Sequence, residues 1–278
     1  MIGAIIGDIV GSRYEFRPVK SKNFELFVGE GYIDPKEMTV MNFKSGSRFT
    51  DDTVMTLCVC KALLECNGNY DDLSQKTIYY MQEIGNKYPL SGYGFRFCNW
   101  LMSRNPLPYN SFGNGSAMRI SPVPYFAKSE EQCKELARKV TEITHNHPEG
   151  LKGAEAVAMC IWLAKNGKNK MFIKDYVEKH YYKLDFDYNE LLERYDFNET
   201  CQGSVPQSIY CFLISNSYED TIRTAISLGG DADTMACIAG SIAEAFYGVP
   251  EEMKTRALDF LSPELKDIYI EFQNKMNV

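Results

Sequence analysis

Glycines at positions 3, 7 and 11 of the opening run "MIGAIIGDIVGSRYEF" fall one helical turn apart, and this register restricts the fold more than any other feature of the chain. Residues four apart lie on one face of an α-helix. A glycine inside a helix costs about 1 kcal/mol against alanine, so three in register require a compensating gain, and close approach of a second helix is the obvious one. Ala236, Gly240 and Ala243 form a comparable small-residue face near the other end of the chain. The pattern predicts two helices, remote in sequence, running through the centre with their backbones nearly touching. Glu15 continues the glycine register and is carried to the interior end of that packing, where a carboxylate needs a partner.

The rest of the chain is read as all-α. Apolar residues at three and four spacing, bounded by Gly, Pro or Asn, predict helices over 53–66, 72–85, 129–143, 151–165, 206–215, 219–228, 234–247 and 251–260. Alternation is scarce, with "FELFV" at 24–28 the best strand candidate. No fixed-period repeat or low-complexity linker interrupts the pattern, so one compact helical domain over 1–278 is expected. Residues 165–204, rich in Lys, Asn, Tyr and Asp, read as a surface excursion beside the bundle.

Two stretches carry more acid than helix capping explains. Thr50, Asp51, Asp52 and Thr53 precede one apolar helix, and Asp231, Asp233 and Thr234 open another. A single aspartate or threonine at each start would serve as an N-cap. Two clusters, each pairing carboxylates with a threonine hydroxyl, suit a shared cation site. Oxygen donors without a nearby histidine or thiolate favour a hard ion, Mg²⁺ first and Mn²⁺ next. Four aspartates and two threonines exceed what one Mg²⁺ takes from protein, which points to two ions.

Composition narrows the partners. A net charge of −7 and a pI near 5.2 argue against general nucleic-acid binding or an anionic membrane surface. The N-terminal segment carries Asp8, lacks a positive start and is too short to span a bilayer, so neither signal peptide nor anchor is expected. Nine cysteines without a Cys-x-x-Cys pair read as reduced thiols of a cytoplasmic protein. Only His145, His147 and His180 are available as histidine ligands, which makes a structural zinc site an unfavoured reading.

The ordered set "GDIVGSRYE", "FTDDTVM", "GYGFRF", "FGNGSAMR", "THNHPEG" and "GGDADT" resembles the ADP-ribosylglycohydrolase family, the dinitrogenase-reductase-activating type of hydrolase. The resemblance implies an all-α fold with a binuclear Mg²⁺ or Mn²⁺ cleft whose ligands are Thr50, Asp51, Asp52, Asp231, Asp233 and Thr234. It places Ser111, Gly113, Asn114 and Gly115 on the diphosphate of ADP-ribose. Phe112 takes the position that stacks on adenine, and His145 reaches the diphosphate or distal ribose. Gly92 and Gly94 line the rim, while His147, followed by Pro148, reads as structural. Some family members place a catalytic aspartate near this rim. No acidic residue lies between Ser91 and Arg104, which leaves Glu15 as the preferred acid or base.

The implied activity is metal-dependent hydrolysis of the bond joining ADP-ribose to a protein side chain, a base or a small molecule. The alternative is a non-catalytic ADP-ribose-binding module of the same fold, which would be expected to have lost metal aspartates or the glutamate. A phosphohydrolase using the same acids is a weaker fit, because it would want an aspartyl nucleophile at a strand end.

Overall fold

The computed structural model describes residues 1–34 and 46–276. Its first helix, α1 (Ile2–Gly11), is buried at every position, as a helix apolar all round must be. The next helices are α2 (Asp51–Glu65), α3 (Leu73–Gly85), α4 (Phe95–Leu101) and the short α5 (Val123–Phe126). They are followed by α6 (Glu130–Thr141), α7 (Pro148–Lys165), α8 (Lys170–His180) and α9 (Tyr188–Arg194). The chain continues through α10 (Cys201–Ile214), α11 (Tyr218–Ser227), α12 (Ala232–Tyr247), α13 (Glu251–Asp259) and α14 (Pro263–Met276). Among the described residues there is no sheet, only an isolated antiparallel bridge between Gly113 and Thr200.

The glycine register of α1 meets α12 along its whole length. A methyl group built on Gly3 would lie 2.4 Å from the Gly240 carbonyl oxygen, and one on Gly7 would lie 2.1 Å from that of Ala236. One on Gly11 would lie 2.4 Å from the Asp233 Cα. The gain that offsets three helical glycines is therefore a backbone-on-backbone contact that no larger residue permits. Around this pair pack α7, α10 and α11, which all touch α12, while α2 bridges α1 to α3 and α14. Buried apolar side chains from Met1 to Phe272 form one cluster.

Every expected helix is present, with differences at the ends. α10 starts at Cys201 rather than at Pro206, because Thr200 caps it by accepting the Gly203 N–H at 3.1 Å, and the proline is absorbed inside the first turns. The 165–204 excursion holds two helices of its own. α8 buries Ile173 and Val177, whereas α9 buries no residue. The strand reading of 24–28 is corrected: the segment is irregular, with the Phe24 and Glu25 carbonyls taken by side chains and that of Val28 by the Ser47 N–H rather than by a neighbouring strand. Arg223 donates to the Phe24 carbonyl at 2.7 Å and the Tyr14 hydroxyl to that of Glu25 at 2.9 Å, while Phe24 and Phe27 pack against Tyr14 and Phe260.

The glycine contact yields a direct test. Gly7→Ala is expected to destabilise the protein by about 3 kcal/mol or more, the upper end of overpacking costs, since the opposing atoms are backbone and cannot rotate away. Gly94→Ala is the control. A methyl group there meets nothing within 4 Å, so its denaturation midpoint is expected to stay within about 0.5 kcal/mol of wild type. Equal midpoints for the two variants in urea would contradict the contact.

Candidate active site

The two acidic clusters open α2 and α12, and α1 brings their ends together. Asp8, buried in the middle of an otherwise apolar helix, is the residue that does so. Its carboxylate accepts the Thr50 N–H at 2.9 Å, the Thr50 hydroxyl at 2.7 Å, the Thr53 N–H at 3.1 Å and the Thr53 hydroxyl. Asp8 thus caps α2 from another helix and satisfies donors that a helix start leaves open. Asp51 and Asp52 are released from capping. Sequence reasoning missed Asp8, although an acid in a wholly apolar run, with threonine hydroxyls elsewhere seeking acceptors, was a readable signal.

At the second cluster, Gly229 and Gly230 have φ values of +73° and +72°, a left-handed pair that turns the chain into α12. Side chains are also excluded there by space, since a methyl group on Gly230 would lie 2.7 Å from the Tyr195 ring. Asp231 occupies the N-cap position of α12, yet its side chain makes no capping bond. It accepts instead from the Asn114 side-chain amide at 2.6 Å. The Thr234 hydroxyl donates to Asp52 at 3.1 Å and ties the two clusters to each other.

The carboxylates form two overlapping triads. Oxygens of Asp8, Asp52 and Asp233 lie within 4.8 Å of one another, as do those of Glu15, Asp231 and Asp233. Asp233 belongs to both. Asp51 lies in neither triad; its Oδ1 is 3.3 Å from where a Gly92 side chain would begin, and its N–H donates to the Ser91 carbonyl at 2.9 Å. Gly92, at φ +102°, lets the rim loop lie against it. The sequence-expected Thr50, Asp52, Asp231, Asp233, Thr234 and Glu15 are brought together, with Asp51 at the rim side.

Burial and mutual repulsion act in the same direction here. The carboxyls of Asp51, Asp52 and Asp233 are held well above the usual range, first by desolvation and then by neighbouring acids. Asp8 and Asp231 are also raised by burial, against the pull of their hydrogen bonds. Glu15, only partly buried, is pushed up to about 7 by desolvation and then by Asp231, with Arg48 offsetting part of the rise. Asp52 Oδ1 is buried without a hydrogen-bond partner. An orphaned anionic oxygen amid converging carboxylates fits a divalent cation of the hard, oxygen-seeking kind.

The glycine loop lies beside the acids. It pairs with residues 199–201 through the Asn114 N–H to the Glu199 carbonyl at 2.7 Å and the Cys201 N–H to that of Phe112 at 2.9 Å. The Gly113 N–H is also engaged, donating to Ser111 Oγ at 3.2 Å. Two of the amides expected to cradle an anion are therefore used within the chain, and the Asn114 side chain orients Asp231. The imidazole of buried His145 lies over the loop, its Nε2 3.4 Å from where a Gly115 side chain would start and 3.7 Å from that of Gly113. His147 is structural, as expected: its Nδ1 accepts the Glu149 N–H at 3.1 Å and caps α7. Its ring also packs 5.2 Å from that of Phe112, which is 43% exposed at the loop's outer edge.

An all-helical body that gathers buried carboxylates from the starts of two helices, beside a glycine loop and an exposed aromatic, presents the oxygen cluster of a divalent-cation-binding protein. The sequence profile of ADP-ribosylglycohydrolase matches residues 1–275, and the chain belongs to that family. It is 27% identical to mouse (Mus musculus) "ADP-ribosylhydrolase ARH3", over 90% of this chain and 83% of the relative. It is 25% identical to "ADP-ribosylarginine hydrolase Tri1" of Pseudomonas putida (strain GB-1), over 90% and 70%. A solved structure titled "ADP-ribosylglycohydrolase-related protein complex" superposes with a TM-score of 0.68 at 22% identity, covering 100% of this chain and 97% of that one, which shows the shared fold. Among the described residues no helix is long and apolar enough to cross a membrane.

The raised carboxyls set a pH dependence for the metal-free protein. Between pH 6.5 and 8 the unfolded acids carry no protons, whereas the folded cluster still holds some, so stability falls as pH rises through the folded values. The lowered carboxyls of ion-paired Glu130, Glu178 and Asp220 titrate below this window. Buried His145, lowered by desolvation, acts oppositely, but chiefly around and below the ordinary histidine value of 6.5, so only the tail of its titration enters this window. In chelator, the melting temperature is expected to drop from pH 6.5 to 8, and saturating Mg²⁺ is expected to flatten that slope. A melting temperature that climbs with pH in chelator would contradict the cluster's electrostatics.

Proposed function

We propose that this chain is a cytoplasmic, divalent-cation-dependent hydrolase of one domain that cleaves the glycosidic bond joining ADP-ribose to a modified target. The observation that carries this reading is the pair of overlapping carboxylate triads, Asp8–Asp52–Asp233 and Glu15–Asp231–Asp233, gathered from three parts of the chain. The names of the relatives, ADP-ribosylhydrolase and ADP-ribosylarginine hydrolase, support the substrate class.

Thr50, Asp51, Asp52, Asp231, Asp233 and Thr234 would hold two Mg²⁺ or Mn²⁺ ions, which supply charge neutralisation and Lewis-acid ordering of the ribose hydroxyls when bound. Everything else in the reaction falls to the chain's own side chains. Cleavage at the ribose C1 passes through an oxocarbenium-like state, which requires a fixed sugar, a positioned water and proton transfer. Glu15 is partly exposed where Asp231 and Asp233 are buried, so it is the carboxylate with access to both the cluster and an incoming water. It orients that water, takes its proton as the hydroxyl adds to C1, and the departing acceptor takes up that proton equivalent. Ser111, Gly115 and His145 receive the diphosphate, Gly113 and Asn114 hold the loop that presents them, and Phe112 offers its exposed face to the adenine. Gly92 and Gly94 keep the rim free of side chains on the acceptor side.

The test separates chemistry from binding. Asp52→Ala and Asp231→Ala are expected to abolish Mg²⁺-dependent release of ADP-ribose from a panel of ADP-ribosylated substrates while retaining helix content by circular dichroism. Glu15→Gln is expected to slow single-turnover release by about 10²–10⁴-fold, the usual general acid–base contribution, with calorimetric affinity for free ADP-ribose nearly unchanged. A wild-type protein that binds ADP-ribose but releases none from any substrate would instead identify a binding module.

A further inference from the structure

Arg119 is 1% exposed, yet none of the ion pairs seen among the described residues includes it. A buried, uncompensated guanidinium is costly, so what it touches matters. One terminal nitrogen donates to the Thr144 hydroxyl at 2.7 Å and lies 3.5 Å from the Val140 carbonyl, while its Nε has no partner. The Thr144 hydroxyl is itself fully buried and lies 2.7 Å from Nδ1 of His145. Because Arg119 can only donate, it takes a lone pair of that oxygen, and the hydroxyl proton is left with Nδ1 as the one acceptor among the described residues. Nδ1 is then unprotonated, and the ring's proton resides on Nε2, the atom that faces Gly113 and Gly115. The Thr144 carbonyl meanwhile accepts the Tyr109 N–H at 3.3 Å and the Ser111 N–H at 3.5 Å, so the same residue also suspends the loop.

We infer that Arg119 and Thr144 are positioning residues that fix His145 in its Nε2–H form, making it a directed donor to a phosphate group bound over Gly113 and Gly115. The buried charge of Arg119 lies one hydroxyl away from the imidazole and is the counter-charge that such an anion offsets. Neither residue touches the ligand. This inference rests on the ADP-ribose reading for the identity of the phosphate but not for the state of the ring.

The experiment has two arms. Long-range ¹H–¹⁵N spectra of ligand-free wild type are expected to show His145 protonated at Nε2, with Thr144→Ser unchanged and Thr144→Val losing the single-form signature. Calorimetry with free ADP-ribose and Mg²⁺ is expected to show Thr144→Val weakened about 10-fold or more, the value of one charge-assisted hydrogen bond, with Thr144→Ser restoring affinity. A wild-type ring protonated at Nδ1, or Thr144→Val binding as tightly as wild type, overturns the inference. Failure of wild type to bind ADP-ribose overturns the functional reading instead, and the spectra of the ligand-free protein still decide the relay.

Discussion

The contact between the backbones of α1 and α12 is the constraint on which the site depends. Were the two helices separated by ordinary side chains, at the usual 8–10 Å, Asp8 and Glu15 would withdraw from Asp231 and Asp233 by several ångströms. Carboxylates more than two hundred residues apart would then share no ligand. The three glycines therefore act at two levels, removing bulk from the core and setting the distance between charges at its edge.

That edge is electrostatically unfavourable by construction. Several acids are crowded into a region from which water is largely excluded, and desolvation and repulsion both disfavour their charged forms. Stability is spent here for function, a pattern common to sites that must bind cations. The hydrogen bonds that counter it come from the fold: four donors from Thr50 and Thr53 onto Asp8, and the amide of Asn114 onto Asp231. Through Asn114, the glycine loop and the acid cluster share a residue, so a ligand that shifts one is felt by the other.

Much of this was legible in the sequence, and the limits have physical causes. Periodicity located most of the long helices, because one apolar face against a core leaves a 3.6-residue signature. It missed α4, which the rim glycines disguised, the one-turn α5, α8 and α14, whose buried apolar faces were there to read, and α9, which buries nothing and so has no apolar stripe. Alternation misled at 24–28, where apolar side chains pack as single anchors of an irregular segment. The acid clusters were evident as surplus oxygen beyond capping. Asp8 was not, since its role exists only across helices, and no spacing announced that the Asn114 side chain would hold Asp231. Pairings between distant segments leave no spacing rule for a sequence reader to follow.

The reach between α1 and α12 also bears on how the chain is made. "IGAIIGDIVG" leaves the ribosome well before its groove on α12, which is synthesised roughly 230 residues later, about 10–50 s at ordinary elongation rates. For that interval an apolar helix with a carboxylate in its middle has no site in which to bury either. The nascent chain must shelter α1, by transient burial against α2 or in the care of a chaperone, until α12 arrives. The carboxylate cluster, which needs α1, α2 and α12 together, cannot form before α12 is made.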